Sequence, residues 1–422
     1  MFIRYSGVRT YIKEIKYMKN ALSPLRGAER ISSVDTMRGF ALFGILLVNM
    51  LIFQYGLFGE YEYIETAQGL EKISASFINI FGTGSFVTLF SFLFGFGVMI
   101  LRDRSREKQR RFWTVYLRRL LLLLAFGLLH GTYIWEGDIL TSYALCGFCL
   151  FLFLWCKPKV WLTIALVIIG LMSAFSFIPA EEGSEDTLEA SPSYLAQEKE
   201  VYVTGSYSEV VHFRNNSMPF EDTSDGEMIA FGIFGVLASL PMFFLGAYVA
   251  AKRWLHEPDR YVSLYKKMWW ISLLIGFPLK IVPQFLQNES LEGLSASLGA
   301  PLVAIFYISS IALLTYSNRW KKLSNALARA GKLSLTNYLS QSIFFTFLFY
   351  GYGFGLFSKV GVTSGIVFTL VFFTIQLFLS KLWLQFFIIG PLEWIWRLWT
   401  YLKIPSIKRK KKKRPTQISA GL

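Results

Sequence analysis

The chain has 422 residues, of which 54% are hydrophobic and 40 are Phe, and its formal net charge is +15. Apolar runs of about 20 residues, the length of a helix that crosses the hydrocarbon core of a bilayer, recur along nearly the whole sequence. These runs exclude a string of soluble domains, and their unbroken character excludes the alternating strands of a barrel. The sequence therefore predicts an all-α polytopic membrane protein.

The distribution of the basic residues and of the cysteines bears on two kinds of partner, nucleic acids and metal ions. The positive charge lies in short segments between the apolar runs, without the aromatic and basic platform that reads nucleic acid, so no nucleic-acid partner is expected. Cys146, Cys149 and Cys156 lie in or beside one run, with no further Cys or His to complete a tetrahedral site. We therefore expect no metal. The first 38 residues are polar and basic without a cleavable signal, which predicts a retained first helix.

Ten membrane spans are predicted, and they divide the chain into five regions. The spans are 39–57, 78–101, 117–135, 139–155, 160–178, 228–250, 268–286, 298–316, 333–352 and 366–389. The regions are a basic N-terminal arm (1–38), spans 1–5 (39–178), an acidic outer loop (179–227), spans 6–10 (228–390) and a basic tail (391–422).

Charge gives the predicted orientation. With both termini in the cytoplasm, 37 of the 43 Lys and Arg residues lie on the cytoplasmic side and 20 of the 28 Asp and Glu residues lie outside. An extra or missing span would invert every later loop and break this agreement with the positive-inside rule. The protein is therefore expected in a bacterial plasma membrane, with anionic lipids as partners of the basic tail. The acidic loop is either a small lid or a poorly ordered linker.

Polar groups inside a bilayer are costly and are the default functional candidates. Asp35 and Arg38 stand one helical turn apart at the inner mouth of span 1, where they form either a functional pair or a helix-start acid beside a membrane anchor. Asn49 lies about 16 Å deeper than Arg38, at 1.5 Å per residue. His130, on span 3, reaches a similar depth, so Asn49 and His130 can meet if these two spans pack together.

The residues after His130 form a predicted outer mouth. Glu136 and Asp138, with Tyr143 on the returning helix, could hold a hydroxyl or amine acceptor while the imidazole removes its proton or carries an acyl group. The alternative is a solvated turn in which Asp138 caps span 4. On span 9, Asn337 and Gln341 share one face and are either substrate-binding residues or interhelical hydrogen-bonding groups.

Several motifs resemble those of YeiB-like bacterial membrane proteins, the domain of unknown function 418 family. They are the stretches from Ile31 to Asn49, Leu89 to Gly97, Phe126 to His130, Trp135 to Ala144, Gly331 to Ser342, Phe349 to Phe357 and Gly390 to Trp394. The resemblance covers most of residues 31–400. It implies a multi-pass fold and leaves the activity open.

The first helix is also similar to that of the transmembrane acyltransferases, including heparan-glucosaminide N-acetyltransferase. The shared opening is Asp-x-x-Arg-Gly, here Asp35 to Gly39. This likeness implies transfer of an acyl group from cytoplasmic acyl-CoA to an acceptor across the membrane. Bacterial relatives in that group place a catalytic His where this chain has Asn49, which cannot act as a base. The catalytic role therefore passes to His130.

Three functional hypotheses follow. The first is acyl transfer: Arg38, Arg118 or Arg119 would bind the phosphates or carbonyl of acyl-CoA, His130 would move the proton, and the acceptor would be an envelope glycan or lipid. The second is transport of a small solute or lipid through the same polar groups. The third is a non-catalytic envelope scaffold. A homodimer is compatible with all three.

Overall fold

Helices account for nearly all of the regular structure in this computed structural model, which describes residues 30–107, 109, 111–178, 190–220, 225–286, 288–317 and 319–409. No strand forms within these ranges beyond one isolated bridge, between Phe387 and Lys408. The predicted all-α fold is confirmed. Residues 1–29 of the N-terminal arm, 410–422 of the tail, and 179–189 and 221–224 of the acidic loop lie outside the described ranges.

The helices of the first half carry spans 1–5. They are α1 (Ser32–Tyr55), α2 (Gly59–Thr66), α3 (Gly69–Phe81), α4 (Ser85–Glu107), α5 (Phe112–Tyr133), α6 (Leu140–Phe153) and α7 (Pro158–Phe175). The residues from 58 to 76 were expected to be an outer loop. Instead α2 and α3 form there, and α3 runs on through a short turn into α4. Glu71 of α3 accepts a hydrogen bond from Thr363 N at the start of a distant span (3.1 Å), an anchor that holds this outer segment against the bundle.

The remaining helices form the outer segment and the second half. They are α8 (Pro192–Thr204), α9 (Tyr207–Asn216), α10 (Asp225–Ala251), α11 (Pro258–Ile271), α12 (Phe277–Ile281), α13 (Glu289–Leu294), α14 (Ala300–Ser317), α15 (Lys321–Lys332), α16 (Ser334–Phe349), α17 (Val362–Phe386) and α18 (Pro391–Tyr401). Single π-helical turns, Ser272–Gly276 and Ser295–Gly299, join α11 to α12 and α13 to α14. The helices α15 and α18 were not expected.

Seven of the described helices are long and apolar enough to cross a membrane by themselves. The other predicted spans fall on α6, which has 14 residues, on the interrupted run α11–α12, and on α16, which has 16 residues. A helix of 16 residues rises only about 24 Å, so these elements need tilt or protein neighbours to cross. The polytopic membrane fold therefore stands, while the count of ten and the side of the termini stay predictions.

The outer surface of the bundle is apolar where it would meet lipid. On α7 the side chain of Leu171 is 65% exposed, and on α17 that of Phe378 is 57% exposed. By contrast, α1 is buried along most of its length. It contacts α4 and the helices α14 to α17. A lone soluble protein rarely exposes such continuous apolar faces. The first helix, α1, therefore lies at the centre of the bundle, and the peripheral helices present apolar faces to the lipid.

Close helix crossings fix α1 and α4 to the second half of the chain. A Cβ placed on Gly39 would overlap the carbonyl oxygen of Leu327 in α15, and one on Gly331 would overlap that of Asp35. The same reciprocal contact joins α4 and α10 at Gly95 and Gly246. Only glycine lets two helix backbones approach this closely.

Candidate functional site

A cavity of ≈ 280 Å³ opens at one end of the bundle. We call this the basic end, because six of the lining side chains are basic and two are acidic: Arg30, Arg38, Arg104, Arg119, Lys332 and Arg397 against Asp35 and Glu393. Along α4 the lining runs from Arg104 to Phe90, about 21 Å at 1.5 Å per residue. Below the charged rim the walls are mostly apolar. The shape suits a molecule with an anionic head and a slender, less polar arm.

The charged rim is built around Asp35. Its carboxylate accepts two hydrogen bonds from Arg30, both 2.8 Å, and one from Arg38 at 3.3 Å. Arg38 also reaches across to α4 at Gly97. The predicted pair at the mouth of span 1 therefore forms, with Arg30 as an additional and closer partner.

Arg119 and Arg397 are two further cations of the rim. Arg119 lies over the ring of Trp396, with 5.6 Å between its guanidinium carbon and the ring centroid. Burial, followed by the charge of Arg30, lowers the pKa of Arg397 to about 10. Arg118, which was named beside Arg119, does not line the cavity. An anion entering the mouth would meet a net positive charge, because six basic side chains line the cavity against two acidic ones.

Glu393 is a rim residue that sequence reasoning missed. Its carboxylate accepts hydrogen bonds from the backbone N–H groups of Leu335 (2.8 Å) and Thr336 (3.1 Å), and from the Thr336 hydroxyl (2.6 Å). It therefore caps the start of α16 from the distant helix α18. This contact joins two of the sequence motifs, those of residues 331–342 and 390–394. Glu393 is the one acidic residue in the basic tail of residues 391–422, and this feature could have identified it from the sequence.

The closed end of the cavity is aromatic. Tyr338 and Tyr143 both line it, and the Tyr143 hydroxyl donates to the carbonyl of Val87 (3.0 Å). The Tyr338 hydroxyl is only weakly held, at 3.4 Å from the carbonyl of Gly137. The rings of Tyr338 and His130 are in contact, with centroids 5.2 Å apart. His130 does not line the cavity, so Tyr338 is the lining residue that contacts the imidazole.

His130 is completely buried and paired with Asp138. Its Nδ1 lies 2.9 Å from Asp138 Oδ1. Because an ionised carboxylate only accepts hydrogen bonds, Nδ1 donates to Asp138, and in a neutral ring Nε2 is then the nitrogen with the lone pair. Within the described residues Nε2 has no hydrogen-bond partner. A histidine oriented by a carboxylate through one nitrogen, with the other nitrogen free, has the arrangement of a general base.

Asp138 has a second role in the same turn. Its carboxylate accepts from the backbone N–H groups of Leu140 (3.2 Å) and Thr141 (2.8 Å), which caps the start of α6. Of the two interpretations from the sequence, the helix cap matches these contacts, and the binding of an acceptor by Asp138 stays a prediction.

Asn49 lies on the same face of α1 as Arg38 but beyond the cavity lining, and it is 9% exposed. Four residues further along α1, Phe53 stacks on Trp135 with ring centroids 4.2 Å apart. The Trp135 and His130 ring centroids are 6.3 Å apart. Spans 1 and 3 thus meet near the imidazole through aromatic rings. Among the described residues no hydrogen bond joins Asn49 to His130.

Glu136 faces the opposite end of the bundle, which we call the lid end because the outer helices α8 and α9 cover it. Its carboxylate lies 2.9 Å from Arg214 Nε and accepts hydrogen bonds from the hydroxyls of Tyr202 (3.1 Å) and Tyr350 (3.4 Å). Residues 190–220 of the acidic loop therefore form a packed lid. At this end Glu136 is satisfied by the protein's own side chains.

Asn337 and Gln341 lie in a separate buried network between α16 and α17. Asn337 donates to the carbonyl of Ala330 (3.1 Å) and the hydroxyl of Ser380 (3.2 Å), and Gln341 donates to Gln376 (2.8 Å). Neither side chain lines the cavity. The contacts are those of polar residues that hold two helices together.

Neither the cysteines nor the carboxylates supply an obvious metal site. Across the described ranges, no group of three or more His, Cys, Asp or Glu side chains is placed to hold an ion. The three cysteines are free thiols, and that of Cys146 donates to the carbonyl of Val236 (3.4 Å).

Comparison with known proteins places the chain in a family. A family described as "Protein of unknown function (DUF418)" matches residues 249–403. The "Uncharacterized protein YxaH" of Bacillus subtilis (strain 168) is 34% identical over 404 residues, which cover 93% of this chain and 100% of the relative. The "Uncharacterized protein YeiB" of Escherichia coli (strain K12) is 28% identical over 397 residues, 87% of this chain and 96% of the relative.

A third relative, the "Uncharacterized 39.9 kDa protein in amylase 3'region" of Bacillus acidopullulyticus, is 26% identical over 402 residues, covering 92% of this chain and 99% of the relative. These likenesses run through both the cavity and the lid, whereas the family match alone contains Tyr338 and Glu393 but neither Asp35 nor His130. The chain therefore belongs to the YeiB-like DUF418 family of membrane proteins.

Proposed function

We propose that this protein is a membrane-embedded acyltransferase that takes acyl-CoA from the basic end and transfers its acyl group to an acceptor that arrives from the lid end. One observation carries the proposal. The cavity has a rim with excess positive charge and is lined by Tyr338, whose ring contacts His130 of the His130–Asp138 pair. The positive-inside rule puts that rim in the cytoplasm, where acyl-CoA is available.

The donor fits the cavity by charge and by length. The phosphates of CoA would bind the guanidinium groups of the rim, since Arg forms strong charge-assisted bonds with phosphate. The pantetheine arm has about the length of four extended residues, roughly 14 Å. An arm of that length reaches from the rim toward the aromatic end and places the thioester beside Tyr338.

His130 then serves as the base. As the acceptor oxygen attacks the thioester carbonyl carbon, Nε2 takes the hydroxyl proton, and Asp138 stabilises the resulting imidazolium. The carbon–sulfur bond breaks, and the departing thiolate recovers the proton from Nε2. The products are an acyl ester and free CoA. For this step the Tyr338 ring must swing aside so that the thioester and imidazole share one space.

The test is turnover by the purified protein in nanodiscs. With labelled acyl-CoA and an envelope extract as acceptor, we expect label transfer together with release of the CoA thiol. His130→Ala should reduce the rate by about 10²–10⁴-fold, the range for loss of a general base. The matched control is His212→Ala, because His212 is exposed on α9. Absence of CoA binding at saturating concentration would refute the proposal.

A second candidate is transport of an anionic amphiphile. It is favoured by one observation: the cavity is open at the basic end, whereas the Glu136–Arg214 pair closes the lid end. A cavity that is open at one end and closed at the other is typical of a transporter in one of its two alternating conformations. Flux of an anionic amphiphile into proteoliposomes without any acyl donor, undiminished by His130→Ala, would favour transport over transfer.

A further inference from the structure

The lid is an ordered two-helix unit attached by both aromatic and polar contacts. A capping box at Ser206 and Glu209 starts α9. Tyr202 packs against Tyr350 with ring centroids 4.5 Å apart, and its carbonyl accepts from the backbone N–H of Gly351 (2.7 Å). The Tyr207 hydroxyl donates to the carbonyl of Tyr133 (2.8 Å). Within α9 itself only the side chains of Val210 and Phe213 are buried, so most of that helix is not fixed by apolar packing.

Arg214 is the charged latch of this unit. Its side chain is 6% exposed and that of Glu136 is 13% exposed. Burial opposes the charge on Arg214, but the Glu136 carboxylate outweighs this and raises the pKa of the guanidinium above its ordinary value. The Nε and Nη1 atoms of Arg214 nevertheless make no hydrogen bond within the described residues. The latch thus depends on charge attraction, with the guanidinium incompletely satisfied.

Two orphaned polar groups lie beneath the latch. His130 Nε2 and Trp135 Nε1 are both fully buried, and neither has a hydrogen-bond partner among the described residues. An indole N–H can only donate, whereas Nε2 of a neutral imidazole held through Nδ1 can only accept. A hydroxyl group can accept from the first and donate to the second. An alkylamine is mostly protonated at neutral pH, and the ammonium group cannot accept at all. These groups thus have the chemistry to receive an alcohol.

We infer that the lid of residues 190–220 is a gate between the extracytoplasmic side and His130, and that the acceptor it admits is a polyhydroxylated compound. On opening, Glu136 exchanges Arg214 for hydroxyl groups of the acceptor, while another hydroxyl reaches His130. The identity of the acceptor rests on the proposed acyl transfer. The gate itself does not, because access can be measured without any reaction.

The first experiment measures access. In a variant whose three native cysteines are replaced by Ala, Phe357→Cys places a thiol under the lid, since Phe357 is 1% exposed and packs against Tyr202. Glu200→Cys, exposed on α8, marks the outer face. In intact cells, a membrane-impermeant maleimide should label position 200 rapidly and position 357 slowly. Adding Arg214→Ala should accelerate labelling at position 357 at least about tenfold, equivalent to 1.4 kcal/mol.

The control and the counter-outcome use the same assay. Arg253→Ala removes an exposed ion pair with Glu257 and should leave labelling unchanged. The double exchange Glu136→Arg with Arg214→Glu should restore slow labelling. Equal rates at position 357 with and without Arg214 would overturn the gate, provided that position 200 is labelled in both.

The second experiment locks the lid. The Asn215 side chain donates to the carbonyl of Thr132 (3.3 Å), so Asn215→Cys with Thr132→Cys can form a disulfide between lid and span. The oxidised protein should bind CoA normally but transfer no acyl group until it is reduced. Full turnover by the oxidised protein would refute the gate. A parent protein without any turnover would instead refute the proposed function, and the labelling result would still decide the gate.

The third experiment tests the acceptor class with matched small probes. Propane-1,3-diol and 1,3-diaminopropane have similar length and differ in the reacting groups. We expect acyl transfer to the diol to exceed transfer to the diamine by at least about tenfold, or 1.4 kcal/mol. Preference for the diamine would overturn the hydroxyl assignment.

Discussion

The two ends of the bundle handle charge in opposite ways. At the basic end six cations share two carboxylates around an open cavity. At the lid end, the carboxylate of Glu136 is matched by a guanidinium and two tyrosine hydroxyls under a closed cover. An excess of positive charge around a cavity favours the binding of an anion. The basic end is thus open and attractive to an anion, whereas the lid end is closed.

A similar contrast holds between the two polar clusters buried within the bundle. The network of Asn337, Gln341 and Gln376 satisfies its polar groups internally and connects helices. In the cluster of His130 and Trp135, one nitrogen of each ring has no hydrogen-bond partner within the part of the chain that the structure describes. Unsatisfied buried groups are costly and are kept where function requires them. If this difference is functional, substitutions in the His130 cluster should change activity, and substitutions in the Asn337 network should change stability.

The largest expected effect is at Asp138. Asp138→Asn retains a side chain that caps α6, because Asn is as good a cap as Asp, but it removes the charge that orients His130 and stabilises its imidazolium. We expect acyl transfer to fall at least about 10²-fold with the melting temperature and CoA affinity nearly unchanged. Asp259→Asn, at an exposed helix start, is the control. An active Asp138→Asn enzyme would remove the chemical distinction between the two clusters.

The next effect compares two adjacent arginines at the basic end. Arg119 lines the cavity and Arg118 does not. Loss of one charge-assisted phosphate contact, about 1.5–3 kcal/mol, should weaken CoA binding roughly 10- to 100-fold in Arg119→Ala. Calorimetric titration should show little change in Arg118→Ala. Equal effects would mean that general surface charge, rather than the cavity, attracts the donor.

A smaller effect concerns pH at the lid end. Glu198 of α8 is buried against Gly56, near Glu136, Tyr194, Tyr202 and Arg214. Burial, followed by the charge of Glu136, raises the pKa of Glu198 from 4.5 to about 9. The folded protein therefore keeps a proton that the unfolded chain releases above pH 4.5, so stability falls as the pH rises from about 5 to about 9.

Glu198→Gln should remove this slope and raise the free energy of unfolding at pH 8 by at least about 1.4 kcal/mol, one pKa unit. Thermal melts of the nanodisc-bound protein between pH 5 and 9 provide the measurement, with exposed Glu200→Gln as the control. A parent protein whose stability rises over this range would contradict the assignment of a neutral Glu198.

The smallest effect is expected in the interhelical network. Gln341→Leu leaves Gln376 with a lost partner and should cost about 1 kcal/mol, whereas Gln341→Leu with Gln376→Leu should recover part of that loss. Acyl transfer should be unchanged in both variants. A large loss of activity at constant melting temperature would move this network into the functional site.

Much of the fold could be predicted because apolar length and loop charge are local properties. The long runs gave α1, α4, α5, α7, α10, α14 and α17 within a few residues at most ends. The helices α2, α15 and α18 were missed because they are short or mixed in polarity, and their stability comes from packing. Glu393, for example, belongs to the site only because α18 folds back under α16, a contact 58 residues distant in sequence.

The candidate site shows the same limit. The pair Asp35–Arg38 was predicted because its members are one helical turn apart. Asp138 was named as a candidate, but its pairing with His130 was not predicted. Tyr338, Arg397 and Arg214 could not, since nothing local distinguishes a tyrosine facing a histidine from one facing lipid. Asn337 and Gln341 were named as candidates because they are polar residues within a predicted span. Their side-chain hydrogen-bond partners lie on the neighbouring helix α17, as expected for groups that join helices.

The glycine crossings limit how this protein can move. At Gly39–Gly331 and Gly95–Gly246 the helix backbones of the N-terminal and C-terminal halves are in direct contact. A rigid-body rocking of one half against the other, common in transporters, would have to break both contacts. We therefore expect local motions, such as rotation of the Tyr338 ring or displacement of the lid of residues 190–220, while the rest of the bundle keeps its arrangement.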